Sequence, residues 1–299
     1  MHGSATSPLF TILALVLSAT LTFQAGAAEG DLGDVLARGE LRHIGIPYAN
    51  FVTGSGDGLD VELMQAFAAH LGVKYRFVES NWKDVVTDLT GQRISRDGDQ
   101  VTVIGTGPIK GDVIANGFTI LPWRQRVVDF SEPTFPSGVW LIARADLPIN
   151  PVQESGDQAV DVANVKLKLR GMDVLAMENT CLDPKLYDLA GTGADVRLYT
   201  RSTNLNEMVP AILRNDARTT LLDVPDTLIA LEKWPGLIKV VGPVSAPQLM
   251  GVAFRKDSPD LRAAFNEFLA AIKCNGAYRE MVTRYYPEIF VYFDDFFQH

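Results

Sequence analysis

Short β-rich runs alternate with amphipathic helical stretches after residue 40, and this alternation restricts the possible folds more than any other feature. Residues 41–46 and 73–78 read as strands, whereas residues 60–71 and 82–89 carry apolar side chains at helical spacing. We expect Asp60 to cap the first of these helices, because its carboxylate can accept hydrogen bonds from the first turn. Strand, helix, strand and helix in succession predict an α/β layer built on a parallel sheet.

Composition sets the size of the protein and narrows its partners. The 299 residues are 47% hydrophobic and 21% charged, which is typical of a globular chain with one large domain or two lobes. The formal net charge of −9 disfavours nucleic acid and anionic lipid as partners, because an acidic surface repels phosphate. Two cysteines exclude a disulfide scaffold and a cysteine-based zinc or iron–sulfur site, so we expect no metal.

The amino-terminal segment has the pattern of an export signal. Residues 9–23 are free of charged side chains and are followed by the small-residue pattern Ala25-x-Ala27. A stretch this short is typical of a signal peptide rather than a membrane span, although the preceding residues lack Lys and Arg. We therefore expect residues 1–27 to be removed, and the mature chain to be soluble, without a lipid anchor, and located in the periplasm.

The common catalytic signatures are missing from the sequence. It contains no HExxH, GxSxG or P-loop pattern. Cys181 has no histidine nearby to activate it, and His43 falls in a predicted strand, where a hydrogen-bonded structural role is expected. We therefore expect a protein that is not an enzyme and that needs no cofactor.

Two charged residues stand where a small ligand could be bound. Arg124 follows a β-type run and lies close to Thr119, and its planar guanidinium suits bidentate capture of a carboxylate. A solvent-exposed arginine beside Trp123 is the alternative. Asp223 ends a buried apolar run, at the edge where open α/β sheets bind ligands. Its alternative role is to cap the helix that begins near Pro225.

The chain resembles the bacterial periplasmic solute-binding proteins of family 3, which bind polar amino acids for uptake transporters. Residues 111–135, GDVIANGFTILPWRQRVVDFSEPTF, match the family pattern of Thr-Ile-x-x-x-Arg followed by Val-Asp-Phe-Ser-x-Pro. The resemblance implies a bilobed type II periplasmic-binding-protein fold, in which two α/β lobes are joined by a two-strand hinge. It places residues 28–138 and 247–299 in lobe 1, and residues 139–246 in lobe 2.

The same resemblance implies a ligand and the residues that hold it. Arg124 would grip the α-carboxylate of an amino acid with help from Thr119 and the backbone of Gly117, and Asp223 would take the α-ammonium. The other implied contacts are the wall residues Tyr48, Phe51 and Trp82, and Thr180 with its backbone N–H as a further carboxylate donor. The implied partner is the permease of an ABC transporter, and the binding protein itself is expected to be a monomer.

Three departures from the family pattern concern the same cleft. Asn179 and Cys181 stand where Gly and Thr are expected, and Asn50 replaces a proline. Residues 90–110 make a connection longer than usual, which could cover the cleft or contact a partner. Cys181 and Cys274 are not expected to pair, because the resemblance places them in different lobes.

Two other functions are compatible with this family resemblance. An exported enzyme similar to cyclohexadienyl dehydratase would need a general acid, for which Glu178 is the candidate. A sensor or partner-binding module is the other, because the regulatory lobe of some lytic murein transglycosylases has the same fold. The aromatic residues 290–297 would either pack back on the first lobe or form a docking strip.

Overall fold

The structure is a computed structural model that describes residues 1–3 and 31–298. The predicted signal peptide therefore lies almost wholly outside the described residues. Within the part that is described, no helix combines the length and apolarity needed to cross a bilayer.

The described chain alternates strands and helices, with a larger share of strands in its first half. The strands are β1 (Glu40–Gly45), β2 (Lys74–Glu79), β3 (Gln92–Asp97), β4 (Gln100–Thr106), β5 (Val113–Ile114), β6 (Asp129–Phe130), β7 (Phe135–Ser137), β8 (Val139–Arg144), β9 (Asp173–Ala176), β10 (Asp195–Leu198), β11 (Thr219–Asp223), β12 (Ile238–Pro243), β13 (Gln248–Met250) and β14 (Ala253–Phe254). The helices are α1 (Leu32–Arg38), α2 (Leu59–His70), α3 (Val85–Thr90), α4 (Pro122–Gln125), α5 (Gln158–Lys168), α6 (Met208–Leu213), α7 (Val224–Lys233), α8 (Pro259–Cys274), α9 (Ala277–Tyr285) and α10 (Ile289–Phe293).

Two five-stranded sheets define the two lobes. The sheet of the first lobe has the order β2-β1-β5-β14-β6, with β1 parallel to β2 and β5. The sheet of the second lobe has the order β10-β9-β11-β8-β12, with β9 parallel to β10 and β11. Every residue of β9 and β11 is buried, as expected for parallel strands covered on both faces. The predicted α/β class and the bilobed type II fold are confirmed.

The chain passes between the lobes along two strands that pair with each other. β7 and β13 form an antiparallel ribbon in which Ser137 faces Gln248 and Phe135 faces Met250. This ribbon is the two-strand hinge that the resemblance implied. The predicted lobe boundaries fall directly after β7 and just before β13, and they stay a prediction.

The long connection at residues 90–110 folds into a separate hairpin. β3 and β4 pair antiparallel with each other and join neither five-stranded sheet. The base of the hairpin is fixed to the first lobe, since Gly107 donates a backbone hydrogen bond to Gly91 at 2.8 Å and Lys110 pairs with Asp88 at 2.9 Å. Ile94 and Val101 turn toward the core of that lobe.

Two predicted helix starts are wrong, for reasons that lie in neighbouring side chains. Helix α2 begins after Gly58 instead of Asp60, and the Asp60 carboxylate points inward, where it accepts a hydrogen bond from the Gly117 N–H at 2.7 Å. Helix α3 begins at Val85 instead of residue 82. Asn81 stabilises the preceding turn, because its side-chain oxygen accepts hydrogen bonds from the backbone N–H groups of Lys83 and Asp84.

The aromatic carboxy-terminal tail packs back on the first lobe. The ring of Phe297 lies 5.8 Å from that of Phe135 at the start of the hinge, and Phe290 lies under the guanidinium of Arg279 at 4.2 Å. Val291 and Tyr292 remain exposed. Of the two roles weighed for this segment, the structure therefore shows the packing one.

Candidate functional site

Arg124 is buried at the interface of the lobes. It lies in the short helix α4 and is only 1% exposed, so the alternative of a solvent-exposed arginine is wrong. Its Nη1 donates to the carbonyl of Thr119 at 2.8 Å, whereas its Nε has no hydrogen-bond partner. Burial lowers the pKa of Arg124 to about 10, which still leaves it cationic at neutral pH. A buried guanidinium with a free N–H is a ready donor for an anion.

Three aromatic rings surround this guanidinium. Its carbon lies 3.9 Å from the ring centre of Phe118, 5.3 Å from that of Trp123 and 5.7 Å from that of Trp82. Tyr48 meets Trp82 edge to face with the ring centres 5.8 Å apart. Cation–π contacts of this kind hold the cation without neutralising it, so Arg124 keeps its charge for a ligand.

Phe51 and Gly117 pack against the rings that line the site. Phe51 stacks on Tyr48 at 6.1 Å and packs against Phe135 and Tyr286 in the core. Gly117 has φ +62°, and a Cβ there would fall 2.4 Å from the Phe51 ring, so only glycine fits. Because its N–H donates to Asp60, Gly117 positions these rings in this structure, and the ligand contact that the resemblance implied for its backbone stays a prediction.

Asp223 provides the opposite charge from the second lobe, where it also has the predicted role of capping a helix; its contact with a ligand stays a prediction. Its Oδ1 caps α7 by accepting from the Asp226 N–H at 3.2 Å. Its Oδ2 accepts from the Cys181 thiol at 3.5 Å, and the Tyr48 hydroxyl of the first lobe lies close enough to the carboxylate to lower its pKa. Burial raises the pKa of Asp223 from 3.8 to about 6 and raises that of neighbouring Asp226 further. The carboxylate is therefore poised to gain from a cationic partner.

The loop around Thr180 is held by hydrogen bonds of its own. The Thr180 hydroxyl donates to the carbonyl of Met177 at 2.8 Å and accepts from the Leu182 N–H at 3.0 Å, so it is engaged within the turn. The implied role of Thr180 and its backbone N–H as carboxylate donors stays a prediction. Asn179 adopts φ +64°, a conformation that asparagine tolerates better than most residues. The Asn that replaces the expected glycine therefore keeps the shape of the loop.

The two lobes meet in a closed arrangement. The N–H of Ala49 in the first lobe donates to Asn206 Oδ1 in the second at 3.1 Å. The Thr119 hydroxyl lies beside the Cys181 thiol, which brings the two halves of the site together. At the hinge, Gln248 Nε2 donates to the Tyr187 hydroxyl at 3.2 Å. Arg124 and Asp223 are both shielded from solvent as a result.

Other residues singled out from the sequence lie away from this site. Glu178 is 44% exposed and pairs with Lys185 at 3.5 Å, so it does not fit the general acid of a dry cleft. His43 is buried between the Tyr75 hydroxyl at 2.9 Å and the Ala115 carbonyl at 2.5 Å, the structural role expected for it. Cys181 and Cys274 are both free thiols, in agreement with the expectation.

Sequence reasoning missed several residues of the site. Phe118 and Trp123 lie inside the segment that matched the family pattern. Phe118 immediately precedes Thr119 and Trp123 immediately precedes Arg124, and this was the available signal. Tyr187, Arg96 and Asp183 carried no local signal, because the contacts of Tyr187 with Gln248 and of Arg96 with Asp183 join distant parts of the chain.

With this geometry established, comparison with known proteins identifies the family. The sequence profile of the bacterial extracellular solute-binding proteins, family 3, matches residues 107–288. The chain belongs to this family. The match includes Arg124, Thr180 and Asp223, and begins after Tyr48 and Trp82.

Individual members resemble this chain to different extents. The L-cystine-binding protein TcyJ of Escherichia coli is 26% identical over 284 residues, covering 93% of this chain and 94% of the relative. The membrane-bound lytic murein transglycosylase F of Desulfosudis oleivorans is 29% identical over 233 residues, and the match spans 78% of this chain but only 44% of the enzyme. A crystal structure of a mutant of ArgBP from T. maritima superposes with a TM-score of 0.67 at 23% identity, covering 86% of this chain and 99% of that one.

Proposed function

We propose that this protein is an exported receptor that captures an α-amino acid between its lobes and delivers it to an ABC importer. The observation that carries the proposal is the pairing of one buried cation, Arg124, with one buried carboxylate, Asp223, on opposite lobes of a closed cleft. An α-amino acid is a zwitterion, and it needs one partner of each sign. The resemblance to the cystine-binding protein over nearly its whole length supports the same reading.

Selectivity follows from burying both charges. A ligand that carries only one charge leaves the other buried group unpaired, and an unpaired buried charge costs several kcal/mol. A ligand with both groups satisfies Arg124 from the first lobe and Asp223 from the second. Because only the closed form offers both contacts, such a ligand stabilises closure.

The cellular setting belongs to the proposal. We infer that the mature chain acts as a monomer in the periplasm and that its partner is the permease of an ABC transporter. A second candidate is a sensing or partner-binding module, which the similarity to part of a murein transglycosylase favours. In that case the ligand would be a cell-wall fragment.

A thermal-shift screen of the exported protein tests the proposal. The panel contains the twenty common amino acids, cystine, prephenate, small dicarboxylates and muropeptides. A ligand at 100 times its Kd adds about 2.7 kcal/mol to stability, and each kcal/mol moves Tm by roughly 2–4 °C for a domain of this size. A shift with one or a few amino acids that disappears in Arg124→Ala is expected. A shift with muropeptides alone would favour the second candidate, and product release from prephenate would indicate a dehydratase.

A further inference from the structure

The β3–β4 hairpin extends from the first lobe to the second. Its base is fixed to α3, because the Thr87 hydroxyl donates to the Gln92 carbonyl at 3.1 Å in addition to the contacts of Gly107 and Lys110. Toward its tip, Arg96 forms an ion pair with Asp183 of the second lobe.

The Arg96–Asp183 pair is well shielded from solvent. The side chains are 8% and 1% exposed, respectively, unlike most ion pairs on a protein surface. Arg96 is also fixed within its own hairpin, since its Nη1 donates to the Gly98 carbonyl at 3.1 Å. Exposed ion pairs contribute little, but a shielded pair with a pre-ordered arginine has a larger effect when one partner is removed.

Asp183 connects this pair to the binding loop. Its Oδ2, which meets Arg96, also accepts from the Asn179 N–H at 3.1 Å, and its Oδ1 accepts from the Lys185 N–H at 3.0 Å. The carboxylate thus holds both ends of the turn that carries Thr180 and Cys181. Asp183 is the point at which the hairpin acts on the second-lobe half of the site.

Trp123 is a neighbour of both the hairpin arginine and Arg124. The guanidinium carbons of Arg96 and Arg124 lie 5.2 Å and 5.3 Å from the centre of its ring. The hairpin arginine therefore packs near the same indole as the arginine of the site.

We propose that Arg96 is a positioning residue that latches the closed cleft: through Asp183 it holds the second-lobe loop against the first lobe and slows release of the ligand. The pair joins opposite lobes, so opening the cleft must break it. This inference rests on the proposed function for the identity of the ligand, but the latch itself is a contact between lobes that can be measured without one.

The first test is the kinetics of ligand exchange, with the amino acid identified by the thermal-shift screen. We expect Arg96→Ala and Asp183→Asn each to raise the dissociation rate at least about tenfold while the association rate stays within about twofold, because shielded charge pairs act mainly on dissociation. Arg96→Lys, which keeps the charge, should recover part of the loss. The double variant should be no worse than either single one.

Arg93→Ala is the matched control, because Arg93 is an exposed arginine on the same strand of the hairpin. It should leave both rates within about twofold of the parent protein. A dissociation rate for Arg96→Ala that equals that of Arg93→Ala would overturn the latch. A purely structural role would lower Tm in all three Arg96 and Asp183 variants without a selective change in dissociation.

The second test needs no ligand and separates the latch from the proposed function. Spin labels at exposed Gln65 in the first lobe and Ala163 in the second, on a Cys274→Ser background, report the distance between lobes. We expect a short-distance population in the ligand-free protein that Arg96→Ala loses and Arg93→Ala keeps. Identical distributions in the two variants would refute the latch even if an amino acid binds. Loss of the short population would support it even if none does.

Discussion

The two halves of the binding site are built in different ways. In the first lobe, Arg124 is enclosed by aromatic rings that are themselves part of the core, and its position does not depend on the other lobe. In the second lobe, Asp223 and the Thr180 loop are held by short-range hydrogen bonds, and the loop gains a further support from Arg96 across the cleft. The first-lobe half of the site therefore needs no contact from the other lobe, whereas the second-lobe half gains one when the lobes close.

This difference assigns separate tasks to the two lobes. A preformed cation on the first lobe can meet the ligand carboxylate in the open protein and costs little to organise. The second lobe then adds the carboxylate of Asp223. Tyr48 and Cys181 lie beside this carboxylate, which would also bind the cationic group of the ligand. We therefore infer that the first lobe determines whether a ligand is captured, and that the second determines how long it stays and which charge it must carry.

Removal of the first-lobe cation should have the largest effect. We expect Arg124→Ala to weaken amino-acid binding by about 2–5 kcal/mol, measured by isothermal titration calorimetry, because the carboxylate loses its buried donor. Exposed Arg126, two residues later, provides the control in Arg126→Ala. Circular dichroism should show both variants folded. Equal affinities in the two variants would show that Arg124 is not part of the site, and would contradict the separate roles inferred for the two lobes.

Neutralising the second-lobe acid should have a smaller and more selective effect. Asp223→Asn keeps a hydrogen-bonding oxygen but loses the charge, so we expect affinity for the amino acid to fall by about 1.5–3 kcal/mol. Affinity for the matching carboxylic acid without an amino group should change little. Glu178→Gln, an exposed acid of the same lobe, serves as the control. An equal loss for both ligands would show that Asp223 does not contact the ammonium group.

The acid of the second lobe should make ligand affinity depend on pH. In the unliganded protein the pKa of Asp223 is about 6, so protons compete with a cationic ligand below that pH. Between pH 7 and pH 5 a single such group lowers affinity about tenfold, and Asp223→Asn should remove this part of the dependence. Fluorescence titration at several pH values measures it. A profile that is the same in both proteins would place the titrating group elsewhere.

Stability of the unliganded protein should change with pH in the opposite sense. Folding raises the pKa of Asp223 from 3.8 to about 6. The protonated carboxyl group therefore contributes favourably to the free energy of unfolding below about pH 3.8, and this contribution is lost as the pH rises through 6.

Removing one of the three rings around the Arg124 guanidinium, those of Trp82, Phe118 and Trp123, should have the smallest effect on affinity. We call these three rings the aromatic cage. Phe118→Leu removes the ring that lies 3.9 Å from the Arg124 guanidinium, and we expect affinity to fall by about 0.5–2 kcal/mol. Phe130 of β6 stacks on Phe118 with the ring centres 5.8 Å apart, so Phe130→Leu is a matched loss of an aromatic ring. Calorimetry should show an affinity close to that of the parent for this control. A larger loss for Phe130→Leu would mean that the cage acts through packing and not through the cation.

Much of the fold could be predicted from the sequence, because its signals are local. The period of apolar residues identified β1 and α2, and the matched segment at residues 111–135 identified the family. The same locality explains the errors. Asp60 looks like a helix cap in its own neighbourhood, and only the approach of Gly117, fifty-seven positions later, shows that it faces inward.

The site could be predicted only where one residue acts alone. Arg124 and Asp223 follow from the character of the groups and from the family pattern. The roles of Gly117 and Thr180 were not predictable, because each depends on which neighbour takes its hydrogen-bonding group first. The partnership of Arg96 with Asp183 joins residues 87 positions apart, and no pattern of single residues encodes such a contact.

The position of Trp123 makes its fluorescence a reporter of the state of the cleft. The guanidinium groups of Arg124 and of Arg96 in the hairpin both lie near the centre of its ring, and the emission of an indole responds to nearby charge. The chain has only three other tryptophans, at positions 82, 140 and 234. A variant that retains Trp123 as its single fluorophore would therefore record, in one optical trace, first the arrival of a carboxylate and then the engagement of the hairpin.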